Sequence, residues 1–112
     1  MGVALREQIH QVAFTLSSIG TANTIVPGVA GKIITIVSLL MVGTGANTIV
    51  INDGVAGTAL SGAMAISANG TVITLPPDPT VDWYQSAVAG NAIAATLTTT
   101  SPITGTAWYV QN

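Results

Sequence analysis

The stretch that decides the fold is Ile33-Ile34-Thr35-Ile36-Val37-Ser38-Leu39-Leu40-Met41-Val42-Gly43-Thr44-Gly45-Ala46-Asn47-Thr48-Ile49-Val50-Ile51-Asn52. It is uncharged over about 20 residues, the length a membrane-spanning helix needs. Its middle, Gly43-Thr44-Gly45-Ala46-Asn47, is a cluster of turn formers that breaks one long helix in two. Ile33 to Val37 before it and Thr48 to Ile51 after it are all β-branched. Their stiff χ1 angles suit a pleated surface better than a helix. The stretch therefore predicts two strands around a Gly/Asn turn, read as a β-hairpin, and not a membrane span.

The same punctuation recurs on either side. Gln8 to Ser17 predicts a first strand with His10, Val12, Phe14 and Leu16 on one face. Ser18 to Thr24 reads as a loop, and Ile25-Val26-Pro27-Gly28 as an edge or lead-in segment, because Pro27 cannot donate to a ladder. After Asp53-Gly54, a turn dipeptide that tolerates positive φ, Leu60 to Ser67 places Leu60, Gly62, Met64 and Ile66 at alternate positions. Asn69-Gly70 predicts a second hairpin, with Thr71 to Leu75 returning from it. Pro76-Pro77-Asp78-Pro79 is a stiff extended connection, and Val81 to Ala87, Ala92 to Thr99 and Thr104 to Gln111 are the last strands. Ala87 to Ala95 is Ala-rich, but Gly90-Asn91 interrupts it as a helix. The reading is an all-β chain with a single β-sandwich or jelly-roll domain of about eight antiparallel strands. Residues 1–24 form an N-terminal arm and first strand, and residues 25–112 the sandwich proper, one domain overall.

Composition narrows function by exclusion. Of 112 residues, 49% are apolar and only 5% charged, two basic and four acidic, for a net charge of −2. Ordinary soluble domains are about one-quarter charged. Two cations cannot neutralise a run of phosphates or hold an anionic bilayer, which argues against nucleic-acid and membrane-surface partners. With no Cys there is no disulfide, thiol chemistry or Cys-based zinc site. Met1 to Glu7 has no long apolar core and does not read as a secretory signal.

Catalytic equipment is correspondingly thin. His10 sits beside Val12 and Phe14 in an apolar pattern with no nucleophile or orienting acid in view, and reads as structural or exposed. Asp78 and Asp82 are the one close carboxylate pair, too few for a calcium loop; they read as turn chemistry and a solvated strand start. Gly43-Thr44-Gly45 and Gly54 to Gly57 lack the Gly-Lys-Ser/Thr ending of a phosphate loop. No enzyme, cofactor or metal site is expected. The aromatics form two adjacent pairs, Trp83-Tyr84 and Trp108-Tyr109. Neighbours on a strand face opposite ways, so each pair is expected to send one ring inward and one outward. Gln85 and Gln111 nearby keep glycan binding open.

No charge occurs from Trp83 to Asn112, and obligate interfaces are depleted in charge at their centres. A chain so poor in charge is expected to share its surface in a homo-oligomer or a larger assembly. The six charges are expected to mark the solvent rim, with the uncharged C-terminal strands as the places of contact.

The order of motifs points further. Val26-Pro27-Gly28-Val29-Ala30-Gly31-Lys32-Ile33-Ile34 comes first, then Leu60-Ser61-Gly62-Ala63-Met64 with Ala68-Asn69-Gly70. Asp82-Trp83-Tyr84-Gln85 with Ala89-Gly90-Asn91-Ala92 follows, and Ile103-Thr104-Gly105-Thr106-Ala107-Trp108-Tyr109-Val110 closes the series. From Ile25 to Val110 the chain resembles small β-sandwich structural proteins of tailed bacteriophages. The resemblance implies a virion component made in the host cytoplasm, a capsid decoration (cement) protein on the outer head surface. Its implied partners are copies of itself, as a homotrimer, and the major capsid protein, whose neighbouring copies it bridges. Similar modules occur in tail fibres and receptor-binding proteins, so a module recognising a host-surface glycan is the alternative. Trp83, Tyr84, Trp108 and Tyr109 are the candidate contact residues, with Arg6 and Glu7 in an N-terminal segment that does not match the pattern.

Overall fold

A computed structural model describes residues 9–77 and 82–112. The strands are β1 (His10–Leu16), β2 (Gly20–Val26), β3 (Ile34–Gly43), β4 (Asn47–Asp53), β5 (Thr58–Ala59), β6 (Met64–Ile66), β7 (Thr71–Leu75), β8 (Tyr84–Gln85), β9 (Ile93–Leu97) and β10 (Ile103–Gln111). They form two antiparallel five-stranded sheets. Sheet A runs β1-β10-β3-β7, with β8 beside β7 on the far edge of β3. Sheet B runs β2-β9-β4-β5, with β6 beside β5 on the far edge of β4. Taking β5/β6 and β7/β8 as two interrupted strands leaves the expected eight. Their order is that of a jelly roll, in which the chain repeatedly crosses between sheets. The described residues contain no helix, Ala87 to Ala95 included.

Both predicted hairpins are corrected by this topology. β3 lies in sheet A and β4 in sheet B, so Thr44 to Ala46 turns the chain from one layer to the other. Asn69-Gly70 does the same between β6 and β7. The turn itself is real: Gly70 has φ +95° and its N–H donates to the Ser67 carbonyl at 3.0 Å. A turn motif sets local chain reversal, while the ladder that each strand joins depends on which apolar face it must bury. Ser18 to Thr24 is also corrected. From Gly20 onward it is strand β2, and Asn23, 5% exposed, donates through Nδ2 to the carbonyls of Ser18 and Gly20.

The core lies between the sheets. Phe14, Leu16, Ile34, Ile36, Leu39, Met41, Ile103 and Ala107 of sheet A meet Ile25, Ile49, Ile51, Ile66, Ile93, Ala95 and Leu97 of sheet B. Each fully buried Ile or Leu contributes about 1.5–3 kcal/mol of transfer free energy. On β1 the expected alternation holds, with Phe14 and Leu16 buried and Val12 packed against the core. On β3 the inward positions change parity, from Ile34 and Ile36 to Leu39 and Met41. The cause is a bulge: Trp108 of β10 pairs Ser38 and Tyr109 pairs Ile36, which leaves Val37 without an opposite residue.

Side-chain brackets tie the corners to the sheets. Asn47 opens β4 and is 5% exposed. Its Oδ1 accepts the backbone N–H groups of Thr48 (2.8 Å), Thr98 (3.1 Å) and Thr99 (3.1 Å). Its Nδ2 donates to the carbonyls of Thr99 (3.2 Å) and Ser101 (2.9 Å). The β3–β4 corner is thereby bound to the β9–β10 loop. At the other end of β4, Asp53 accepts the Ala87 N–H on Oδ2 (2.9 Å) and the Asn91 Nδ2 on Oδ1 (3.1 Å). Buried Ser86 accepts the Ile34 N–H on Oγ at 3.1 Å and returns its own N–H to the Ile34 carbonyl at 3.0 Å.

Candidate functional site

The two aromatic pairs behave differently. In β10, Trp108 and Tyr109 split as strand geometry requires. Tyr109 packs against the core, and its ring stacks on His10 with centroids 5.4 Å apart. Trp108 turns to the outer face of sheet A, where its Nε1 donates to Gln11 Oε1 at 3.2 Å directly across the ladder. Trp83 and Tyr84 do not split: both are half-buried and pack against the core. Trp83 precedes β8, so alternation does not govern it, and its Nε1 donates to the Pro76 carbonyl at 2.9 Å. Burial pushes the Tyr84 phenol above its ordinary pKa, and a side-chain hydrogen bond with Ser61 opposes that push. Arg6, Glu7 and Asp78 lie outside the described residues.

The charges do not all mark a rim. Lys32 and Asp82 are exposed, whereas Asp53 is 9% exposed and engaged by the two donors above. It braces the end of β4 against the β8–β9 loop. The uncharged C-terminal tract is also only partly a surface feature: β9 and β10 are central strands in their sheets, and β9 is mostly buried. Their lack of charge follows first from packing.

The far face of sheet A carries three exposed apolar side chains on neighbouring strands. Leu40 and Val42 of β3 and Val72 of β7 are 41%, 38% and 63% exposed, and Val42 pairs Val72 across the ladder. Thr104 and Thr106 of β10 continue the face opposite Val42 and Leu40, and Trp108 continues it opposite Ser38. None of these residues is charged. An open groove of about 390 Å³ lies at the Trp108 end, lined by Ile9, Val37, Ser38, Pro77 and Trp108. A second, of about 380 Å³, lies at the other end between Val42-Gly43-Thr44 and Asn69 to Val72. Leu40, Val42 and Val72 are contact candidates that sequence reading missed. Val72 and Thr74 alternate with the inward Ile73 and Leu75, a pattern legible in β7. In β3 the unbroken apolar run hides it.

Chemically the face offers contact area and hydroxyls. Among the described residues no three His, Cys, Asp or Glu side chains gather as a metal site, and no helix is long and apolar enough to cross a membrane. No described buried side-chain nitrogen or oxygen lacks a hydrogen-bond partner. No protein family, curated protein or solved structure matches the chain.

Proposed function

We propose that this chain is a bacteriophage capsid decoration protein, which binds the outer head shell and bridges neighbouring major capsid proteins. The observation that carries the reading is the uncharged outer face of sheet A, with Leu40, Val42 and Val72 exposed in a row on a jelly-roll frame. The order of motifs in the sequence, which resembles that of small β-sandwich structural proteins of tailed bacteriophages, supports the choice of partner. A cement protein needs no catalytic group. Each copy spans a seam, and opening the shell must also break that copy's contacts. Contacts made by Leu, Val, Thr and Trp are not weakened by charge screening, unlike exposed ion pairs, which are screened within about 8–10 Å at moderate ionic strength. Copurification of the protein with heads should therefore survive high salt, and heads lacking it should open at lower temperature or milder osmotic shock. Virions without the protein, or stripped heads of undiminished robustness, would sink the proposal.

One observation favours a second reading, a tail-fibre or receptor-binding module that recognises a host-surface glycan. Trp108 stands beside Gln11 at the groove shared with Ile9 and Pro77, an aromatic surface next to an amide. This reading predicts that the isolated protein binds host cells and that Trp108→Ala abolishes the binding.

A further inference from the structure

Sheet A ends on β1, whose outer edge pairs with nothing among the described residues. A row of unpaired N–H and C=O groups is a template for another strand. Folded proteins blunt such edges with bulges, proline, charge or short length. The other edges of this domain carry those devices. β2 pairs β9 through two register shifts and is followed by Pro27. β5, β6 and β8 have two, three and two residues. β7 has five and runs into Pro76-Pro77. β1 carries none of them: its seven residues, His10-Gln11-Val12-Ala13-Phe14-Thr15-Leu16, contain no charge and no proline, and pair β10 without a register shift.

We infer that β1 is a self-association edge, and that a second copy of this chain adds its own β1 antiparallel across a two-fold axis. Antiparallel addition is self-complementary, because a two-fold axis presents the same row of donors and acceptors from both sides. Centred on Ala13, the middle residue, the pairing sets Gln11 against the partner's Thr15 and Val12 against the partner's Phe14. Val12 and Phe14 then meet apolar partners on the inward side, and Gln11 and Thr15 meet polar ones on the outward side around the central Ala13 pair, while His10 falls opposite the partner's Leu16 at each end of the ladder. A two-fold contact also brings any charge near the centre against its own copy, a repulsion this uncharged strand does not incur. Seven paired residues fall short of the roughly 1,600 Å² of a standard stable interface. The association is therefore concentration-dependent, and tightens where copies are held close together.

The inference goes beyond the capsid reading and does not rest on it, since the test uses the purified chain alone. Sedimentation velocity on the full chain should show a monomer–dimer equilibrium. Ala13→Lys and Ala13→Glu each place like charges across the axis and should weaken the dimer roughly fivefold or more at low salt. Mixing the two variants should restore it. Ala13 is exposed and points away from the core, so both variants should fold, which slow exchange of the β10 amides would verify. Alternate β1 amides should become protected as concentration rises. Four results would overturn the inference: a wild type monomeric at its highest soluble concentration; a stable trimer with freely exchanging β1 amides; a monomer whose β1 amides are already protected, as when residues 1–8 cover the edge; or a mixture that associates no better than either variant.

Discussion

Replacing Asn47 by Ala is the sharpest test of how the corners hold the sandwich. The side chain accepts three backbone N–H groups and donates to two carbonyls, all at 2.8–3.2 Å, from a position 5% exposed. The Thr48 bond is to the adjacent residue. The remaining two N–H groups and two carbonyls belong to the β9–β10 loop, far away in sequence. A hydrogen bond is worth about 1 kcal/mol net, and a buried group left without one costs about 1–3 kcal/mol. Four groups at about 1 kcal/mol each set the scale at about 4 kcal/mol. Water reaching the loop past exposed Thr98 brings that to about 2–4 kcal/mol. A chain of this length has about 5–15 kcal/mol in all, so the variant should fold with a thermal midpoint lower by about 8–16 °C. Urea denaturation gives the loss directly, and an unchanged m-value would show that both end states are preserved. Thr98→Val, which removes only a 3.4 Å contact to Asn47 Oδ1, is the matched control and should cost little. If Asn47→Ala loses less than about 1 kcal/mol, or no more than Thr98→Val, the bracket is not what holds the corner.

Three further outcomes follow from the same reasoning. Gly105 faces the core where the Phe14 ring covers it, and a Cβ there would strike the Leu40 carbonyl and sit 2.9 Å from Phe14 Cζ; Gly105→Ala should cost about 3 kcal/mol by denaturation or prevent folding. Tyr84 holds its proton more tightly folded than unfolded, so its share of stability is full below pH of about 10 and is lost as pH rises through the folded value. Alkaline melting curves should show this fall, and Tyr84→Phe should flatten it. Val72→Asp places a charge on the outer face of sheet A at a 63% exposed position; it should shift stability by no more than about 0.5 kcal/mol yet release the protein from heads in a pelleting assay.

The all-β class was legible because β-branched runs and turn formers act locally: the stiffness of Ile33 to Val37 and the breaks at Gly43 to Asn47 need no tertiary partner to be read. β1 was readable for the same reason, since its inward residues alternate cleanly. Part of the candidate surface was readable too. The Trp108-Tyr109 split followed from strand geometry alone, whereas Trp83 sits outside its strand and escaped the rule.

Pairing partners were another matter. The Gly/Asn turns at Gly43 to Asn47 and at Asn69-Gly70 are present, yet both carry the chain between layers. A turn constrains a few dihedral angles, and whether the returning strand pairs or crosses depends on burying two apolar faces against each other. The parity change of β3 at Val37 was hidden for a related reason: in a run where every residue is apolar, only the neighbouring ladder says which ones point inward. The same limit explains Asp53, a charge that composition assigns to solvent and that the fold surrounds with two donors. Sequence by itself determined that this chain would be short strands with few charges to spend on its surface. Only the tertiary structure decided which strands are central, which face is left bare and which edge is unpaired among the described residues, because those are properties of neighbours brought together across the chain.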